Sequence, residues 1–398
     1  MSEGSVITAP VPAGALNVAL VAGEASGDNL GGGLLRALHA RQPALRAFGV
    51  AGPRMVEAGC EAWVSSDELA IMGLAEIVRH LPRLLRLRRD LVARLLAARP
   101  DVFVGIDSPE FNLRVAARLK AQGIPTVQYV SPQVWAWRQG RVRTIGHSVD
   151  LVLCVLPFES RFYDAHDVRA VFVGHPLADR IPLESPPGPA RTALGLDPGA
   201  PTVAVLPGSR RAEVARLGGP FAATLAWLHE RRPDIHFVAP MANTAVRTLF
   251  ELSLAQHAAA VPVTVVDGRA QEALAAADAV LVASGTATLE TALIKRPMVV
   301  AYRLAPLTAF LMRSLKLMKA EYFSQPNLLA GRQVVPEYLQ EDVRPEVLGP
   351  ALLAQLQRSD HAELVATFTA IHATLRRDAS ARAADAILEL RNQSSGAR

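Results

Sequence analysis

The chain of 398 residues contains little cysteine, few aromatic residues and no long uncharged apolar run. Its two cysteines, Cys60 and Cys154, lie in unrelated contexts without a CxxC motif or Cys/His spacing, so neither a disulfide framework nor a metal site is predicted. No stretch reaches the roughly 18 apolar residues of a membrane-spanning helix, and the first residues lack a basic segment followed by an apolar one. We therefore expect a protein of a reducing compartment that neither spans a membrane nor is exported.

Hydrophobic residues make up 50% of the chain and charged residues 20%, which indicates an ordered protein with more than one core. Short apolar runs alternate with helical patterns nearly throughout, and this alternation predicts an α/β fold with a doubly wound parallel sheet in each half. The predicted strands are 16–22, 44–50, 102–106, 125–130, 151–155, 171–173, 202–206, 235–239, 261–266, 279–283 and 297–301.

A proline-rich segment, 181–200, separates the two halves and predicts an interdomain connection. We assign 1–180 to an N-terminal Rossmann-like domain and 201–342 to a C-terminal one. The remainder, 343–398, has helical patterns without a strand and is expected to pack back across the domains. Two such halves imply a cleft, with ligands bound at the carboxyl ends of the strands.

The loop after the first predicted strand, 23–28, lacks the GxGxxG pattern, which argues against an NAD site. Its polar residues Glu24, Ser26 and Asp28 lie at a helix start, where a substrate group could bind. The alternative is that Ser26 or Asp28 caps that helix.

A second polar cluster, Asp107, Glu110 and Asn112, follows the predicted strand 102–106. Asp107 stands at the end of the strand, where a carboxylate is suited to take a proton from a substrate hydroxyl. The alternative is that Asp107 is the N-cap of a helix beginning near Pro109.

In the second half, Gly208, Ser209 and Arg210 form a turn that opens a helix. Backbone N–H groups and guanidinium groups would converge at this helix start, and such a set of donors is suited to bind a diphosphate. Arginine is unfavourable in the first turn of a helix because of the macrodipole, and a bound anion would offset this.

Small residues open another helix of the second half at Ser284, Gly285 and Thr286, and Glu290 follows one turn inside it. A glutamate so placed could hold ribose hydroxyls. Two loops of this kind at strand ends predict a nucleotide-diphosphate site.

Arginine is concentrated between residues 79 and 94, where six arginines face one acid, Asp90, with leucines between them at helical spacing. An apolar segment precedes this helix, and a second basic, apolar segment spans 304–319. Such helices are suited to an anionic bilayer surface, whereas the alternative is a solvated face of a surface helix. The predicted membrane contacts are Ile71, Met72, Leu74, Arg83, Arg86, Arg88 and Arg89.

Two of the four tryptophans, Trp135 and Trp137, stand two residues apart and Arg138 follows at once. Large rings beside cations suit a ligand that is partly apolar or sugar-like and partly anionic. The alternative is a buried pair of rings that closes a strand-to-helix turn.

Eight motifs occur in order and together resemble the lipid-A-disaccharide synthase family over about residues 16 to 390. They are 23–28, 105–109, 131–138, 156–159, 174–177, 206–210, 284–287 and 326–331. The string Ser-Pro-Gln-Val-Trp-Ala-Trp at 131–137 is the most specific of them. Residues 29–33, Asn-Leu-Gly-Gly-Gly, contain more glycine than the family's usual loop.

The resemblance implies a GT-B fold, two Rossmann-like domains facing a cleft, and an inverting glycosyltransferase of Gram-negative bacteria that needs no metal or cofactor. The implied reaction transfers 2,3-diacylglucosamine from its UDP conjugate to 2,3-diacylglucosamine 1-phosphate (lipid X). The products are UDP and the β-1,6-linked precursor of lipid A. Because both substrates carry acyl chains, the implied location is cytoplasmic, on the anionic inner face of the inner membrane, and a homodimer is left open.

The family's motifs also imply roles for individual residues. Asp107 matches its essential aspartate and is expected to deprotonate the acceptor's 6-hydroxyl, while Arg210 offsets charge on the leaving UDP. The implied donor-binding residues are Gly208, Ser209, Arg210, Ser284, Gly285, Thr286, Glu290 and Asn327. The implied acceptor-side residues are Glu24, Ser26, Asp28, Asn112 and Arg138. Between substrate contact and packing, we expect Trp135 and Trp137 to brace the wall below the acceptor site, whereas Arg138 faces the ligand.

Three other functions compete with this interpretation. A UDP-sugar 2-epimerase shares the fold and donor site but has no need of basic, apolar helices. A nucleotide-sugar-binding membrane protein without catalysis is the second. Nucleic-acid binding is the third and is not expected, because the arginines alternate with leucines rather than with exposed aromatic residues.

Overall fold

The computed structural model of the protein describes residues 16–70, 74–137, 139–305 and 321–396. These residues form two compact units. The first unit comprises the chain before Leu177 together with the chain from Arg377 onward, and the second comprises Leu177–Arg376. Each unit contains one parallel β-sheet with alternating helices, so the predicted α/β class with two Rossmann-like domains is confirmed.

The sheet of the first unit has seven strands in the order β3-β2-β1-β4-β5-β6-β7. They are β1 (Asn17–Ala22), β2 (Arg46–Ala51), β3 (Cys60–Ser65), β4 (Val102–Ile106), β5 (Thr126–Tyr129), β6 (Leu151–Cys154) and β7 (Ala170–Phe172). All five residues of β4 are buried, as expected of a central parallel strand covered on both faces. The strand order reverses between β1 and β4, which pair directly. The loops after these two strands therefore lie together at the topological switch point.

Nine α-helices surround this sheet in the described part of the unit. They are α1 (Ala25–Arg41), α2 (Pro53–Glu57), α3 (Asp67–Ala70), α4 (Leu74–Ala98), α5 (Pro109–Lys120), α6 (Val134–Trp137), α7 (Val142–Ser148), α8 (Pro157–Asp164) and α18 (Ala379–Gly396). The last helix, α18, packs on α1, and Arg41 Nη2 donates to Asp385 Oδ2 at 3.0 Å. Glycine permits this approach, since a Cβ on Gly33 would lie 2.8 Å from Ser380 Oγ. The unusual glycines lie within α1 rather than in a loop, and they permit close packing on α2 and α18.

The sheet of the second unit has six strands in the order β10-β9-β8-β11-β12-β13. They are β8 (Thr202–Leu206), β9 (His236–Met241), β10 (Val263–Asp267), β11 (Ala279–Ala283), β12 (Met298–Tyr302) and β13 (Glu337–Leu339). The reversal of strand order falls between β8 and β11, which pair directly. The loops after these strands, both selected from the sequence, therefore share one sheet edge.

The described helices of the second unit are α9 (Pro176–Arg180), α10 (Pro187–Leu194), α11 (Arg211–Arg231), α12 (Thr244–His257), α13 (Ala270–Ala276), α14 (Thr286–Leu293), α15 (Gln325–Ala330), α16 (Pro345–Gln357) and α17 (Ala362–Leu375). Helix α10 lies within the predicted connection 181–200 and packs on α13. Of the C-terminal helices, α16 packs on α11, whereas α17 packs on α14 and α15.

The eleven predicted strands are confirmed, with ends that differ by at most two residues. Two further strands, β3 and β13, were missed. Both lie at sheet edges, and their sequences, Cys-Glu-Ala-Trp-Val-Ser and Glu-Tyr-Leu, lack an uninterrupted apolar run. The residues of β13 are all only half-buried. The prediction that the tail has helices and no strand is confirmed for its described residues.

Candidate active site

The switch point of the first unit brings Ser26 and Asp107 together. Ser26 lies in the first turn of α1, and its Oγ donates to Asp107 Oδ2 at 3.5 Å. Asp107 directly follows β4 and is half-buried, so its carboxylate remains accessible. The alternative interpretation of Asp107 as a helix cap is wrong, because Ser108 is the N-cap residue of α5.

Asp28 has a structural position that the sequence did not predict. Its buried carboxylate accepts the backbone N–H groups of Gly52 and Met55 at Oδ1, both at 3.0 Å, and that of Arg54 at Oδ2 at 2.9 Å. Asp28 thus caps α2 rather than α1, and the N-cap residue of α1 is Glu24. The expectation that Ser26 or Asp28 caps α1 was wrong. Direct contact of Glu24 or Asp28 with an acceptor stays a prediction.

Asn112 is fully buried one turn inside α5. Its Nδ2 donates to the carbonyl oxygens of Asp107 at 2.8 Å and of Ile106 at 3.2 Å. The amide therefore faces the backbone beside the candidate carboxylate. In the described structure Asn112 contacts the backbone of Asp107 and not its carboxylate.

The tryptophan block begins with α6, where Trp135 is half-buried. Its ring meets that of Phe158 edge to face with centroids 4.8 Å apart, and its Nε1 donates to Glu159 Oε1 at 3.3 Å. These contacts agree with a bracing role for Trp135. Arg138 lies outside the described residues, and its predicted contact with a ligand is untested.

In the second unit, the turn Gly208–Arg210 precedes α11, and a carboxylate of α11 binds its backbone N–H groups. Glu213 Oε2 accepts the N–H groups of Ser209 at 3.1 Å and Arg210 at 3.3 Å. Gly208 has a φ of 127°, and a Cβ there would lie 2.6 Å from Glu213 Cβ. The prediction that these N–H groups await an anion is corrected: Glu213 already occupies them. Ser209 and Arg210 are both exposed, and the guanidinium of Arg210, 67% exposed, lies 3.7 Å from Glu213 Oε1.

The start of α14 is more exposed than the turn before α11. Gly285 and Thr286 are exposed, and nothing lies within 4 Å of a Cβ built on Gly285. Ser284 Oγ instead donates to the Phe323 carbonyl at 3.0 Å, so this hydroxyl fixes the adjacent loop. Exposed N–H groups at a helix start favour an anionic ligand.

One turn inside α14, Glu290 accepts a hydrogen bond from Gln271 Nε2 at 2.9 Å. Burial raises the pKa of the Glu290 carboxyl, and the bond from Gln271 and the charge of Arg180 oppose that shift. Gln271 lies on α13 and was missed by the sequence analysis, since no motif marks it. The carboxylate of Glu290 is an acceptor and the amide of Gln271 is a donor, and the two lie side by side on α14 and α13.

Asn327 is fully buried in α15, and both ends of its amide are engaged. Its Oδ1 accepts the N–H groups of Val334 and Val335 at 2.7 and 2.9 Å. Its Nδ2 donates to Glu337 Oε1 at 2.7 Å. These bonds hold the segment after α15, and direct contact of Asn327 with a donor stays a prediction.

The basic helix α4 is described except for the side chains at its start. Arg83 pairs with Glu68 at 2.9 Å and Arg89 with Asp90 at 3.0 Å, at exposed positions. Burial together with the charges of Arg114 and Arg118 lowers the pKa of Arg88. Ile71 and Met72 lie outside the described residues, as does most of the second basic segment, 304–319; Leu74 begins α4. Among helices of the described ranges, none is both long and apolar enough to cross a membrane.

Two Rossmann-like units, each with polar loops at its switch point, define the GT-B class of fold. A glycotransferase of kitacinnamycin matches 95% of this chain and 99% of its own with a TM-score of 0.61 and 18% identity. The UDP-GlcNAc 2-epimerase of Neisseria meningitidis, solved with UDP-GlcNAc bound, matches 94% of this chain and 100% of its own with a TM-score of 0.63 and 10% identity. At these identities the likeness shows the fold alone.

The sequence matches the family model for lipid-A-disaccharide synthetase over residues 18–389. The lipid-A-disaccharide synthase of Alkalilimnicola ehrlichii is 56% identical over 376 residues, which are 94% of this chain and 98% of that protein. The chain belongs to the lipid-A-disaccharide synthase family and is a glycosyltransferase of lipid A biosynthesis. The family match favours this enzyme over an epimerase and over a binding protein without catalysis.

Proposed function

We propose that the protein transfers 2,3-diacylglucosamine from UDP-2,3-diacylglucosamine to 2,3-diacylglucosamine 1-phosphate with inversion at the anomeric carbon. The products are the β-1,6-linked disaccharide 1-phosphate and UDP. The observation that carries the proposal is the accessible carboxylate of Asp107 at the switch point of the first sheet, in a chain of this family. No metal or cofactor takes part in the proposed reaction.

In the proposed step, Asp107 accepts the proton of the acceptor's 6-hydroxyl as that oxygen bonds to the anomeric carbon of the donor. The bond from this carbon to the UDP oxygen breaks, and negative charge builds on the diphosphate. The exposed guanidinium of Arg210 offsets that charge. Ser26 orients the base through its bond to Oδ2.

The donor is proposed to bind at the edge formed by the ends of β8 and β11. Its diphosphate accepts hydrogen bonds from the N–H groups that open α14 at Gly285 and Thr286. Ribose hydroxyls donate to Glu290, which Gln271 holds in place. Asn327 supports this edge through the bonds that order its own segment.

We propose that α4 brings the enzyme to the lipid substrates by contacting the anionic inner face of the inner membrane from the cytoplasm. Its exposed arginines supply the attraction. Ion pairs with Glu68 and Asp90 are exposed, and pairs of this kind are weak enough to be exchanged for phosphate contacts.

The reaction is tested by incubating the purified protein with both lipid substrates in detergent with a chelator of divalent metals. The expected products are UDP and the acylated disaccharide in equal amounts, measured by chromatography and mass spectrometry. Asp107→Asn should slow the reaction by at least about 100-fold, within the range of a general base. Asp164→Asn, at an exposed position of the same unit, is the control. Free sugar with UDP would indicate an epimerase, and absence of both products would overturn the proposal.

A further inference from the structure

Asp107 has a backbone conformation that side chains rarely adopt. Its φ is 53° and that of the next residue, Ser108, is 40°, so two consecutive residues occupy the left-handed region without glycine. Such a conformation persists only where the surroundings determine it. The groups that do so also decide where the Asp107 carboxylate points.

Two buried amides converge on the carbonyl oxygen of Asp107. Asn112 Nδ2 donates to it at 2.8 Å from α5, and Gln128 Nε2 donates to it at 3.0 Å from β5. Both side chains are fully buried. On the other side of the residue, the Asp107 N–H donates to the Tyr129 carbonyl at 2.9 Å. The backbone of Asp107 is thus fixed at both its donor and its acceptor.

The same amides bind neighbouring strand ends. Asn112 Nδ2 lies 3.2 Å from the Val21 carbonyl on β1, and Gln128 Nε2 lies 3.3 Å from the Val130 carbonyl after β5. Val130 is itself left-handed, with a φ of 74°, which is a rare conformation for a β-branched residue. The amides therefore link the carboxyl ends of β1, β4 and β5 around the candidate base.

Gly105 on β4 leaves the space for this arrangement. A Cβ at Gly105 would lie 2.7 Å from Asn112 Cβ and 3.2 Å from Gln128 Oε1. The amide oxygens of Asn112 and Gln128 are buried without a hydrogen-bond partner among the described residues. A buried acceptor without a partner is unfavourable. The oxygens therefore do not fix the orientation of the two amides, and the hydrogen bonds from their N–H groups to the Asp107 carbonyl do.

We propose that Asn112 and Gln128 are positioning residues that hold Asp107 in its left-handed conformation and thereby aim its carboxylate at the acceptor hydroxyl. Gln128 has no assigned role, and Asn112 acts through the backbone rather than on substrate. The inference rests on the proposed function of Asp107 as general base. Without the two bonds, the peptide after Asp107 is free to rotate and the carboxylate loses its alignment.

The test uses Gln128→Met and Asn112→Leu, made singly in the full chain. Each replacement keeps the approximate size of the side chain and removes the donor and the unsatisfied oxygen together, which favours retention of the fold. Thr126→Val is the matched control, because Thr126 is equally buried on β5 and bonds to Ser148 and Asp150 rather than to Asp107. Turnover, KM for both substrates and melting temperature are measured.

We expect each amide variant to lower kcat about 100-fold, the loss expected for a misplaced catalytic group, with KM within about twofold and the control unchanged. In an Asp107→Asn background the same changes should lower kcat no further, because residues that act through one base are not additive. A general structural defect would lower the residual rate in both backgrounds.

The outcomes separate the positioning role from the proposed function. An inactive Asp107→Asn with fully active amide variants would overturn the positioning role alone. A fully active Asp107→Asn, or a wild-type protein without the transferase reaction, would overturn the assignment of the base and the positioning role with it. If neither amide variant folds while Thr126→Val does, the amides serve the fold as a whole and the positioning role is wrong.

Discussion

The indole Nε1 of Trp135 lies 3.3 Å from Oε1 of the buried carboxyl of Glu159. The other oxygen, Oε2, accepts the N–H of Leu156 at 3.1 Å at the start of α8. One carboxyl group thus joins the tryptophan block of α6 to the first turn of α8. The two sequence motifs 131–138 and 156–159 are therefore in contact.

Glu159 should make stability depend on pH. Burial raises the pKa of its carboxyl from 4.5 to about 7, so the folded protein holds this proton more tightly than the unfolded chain. Stability should therefore fall as pH rises from about 4.5 to about 7 and be level above, by at most about 3 kcal/mol. Glu159→Gln should lack this decline, as measured by urea unfolding at pH 5 and pH 8. Glu57→Gln, at an exposed position, is the control, and parallel behaviour of Glu159→Gln and wild type would contradict the prediction.

Asp28→Ala should destabilise the first unit by about 3 kcal/mol or more, because three backbone N–H groups at α2 lose their acceptor. Asp28→Asn retains one acceptor oxygen and should be affected less. Urea unfolding measures the loss, and acceptor KM is measured at a temperature where both variants are folded. A raised KM with unchanged stability would instead indicate direct contact with the acceptor.

Glu213→Gln should strengthen binding of UDP. The amide oxygen still accepts the N–H groups of Ser209 and Arg210, while a negative charge is removed beside the proposed diphosphate site. For a half-buried charge at this position we expect Kd to fall about threefold at low salt. Titration calorimetry with UDP measures the change. Glu272→Gln, on the exposed face of α13, is the control, and weaker binding by Glu213→Gln would show that the charge itself orders the turn.

Replacing Arg83, Arg86, Arg88 and Arg89 with serine should reduce binding to anionic vesicles at low salt. The attraction is electrostatic, so high salt should abolish the difference from wild type. Sedimentation with vesicles of phosphatidylglycerol or phosphatidylcholine measures binding. A matched variant replaces four arginines of the second unit, of which Arg231 and Arg269 are exposed and Arg232 and Arg247 half-buried. Equal loss in both variants would indicate an effect of net charge alone.

The pattern of apolar runs was enough to locate the central strands, because a parallel strand that is covered on both faces is largely apolar. All five residues of β4 illustrate this. Strands β3 and β13 contain Glu61 and Glu337 within or at the start of the strand, so they left no such pattern. Motifs at strand ends likewise placed Asp107 and Ser209 correctly at the two switch points.

Hydrogen-bond partners were not predictable in the same way. Gly208, Ser209 and Arg210 indicated an anion site at the start of a helix, yet Glu213 accepts the N–H groups of Ser209 and Arg210. Asp28 was expected to serve its own helix but binds the backbone of Gly52 and Met55. Gln128 carried no signal, since its partner Asp107 lies 21 residues earlier.

The sequence by itself determined the two α/β halves, the family and the residues at the strand ends, because periodicity and local motifs are properties of neighbouring residues. Only the tertiary structure decided which polar groups are satisfied within the protein and which face solvent. That choice depends on which backbone segments meet, and the segments that meet at Asp28, Asp107 and Asn327 lie on different loops and strands. Packing therefore engaged three conspicuous polar residues of the sequence, Asp28, Asn112 and Asn327, in buried hydrogen bonds to the backbone and left Asp107 half-buried.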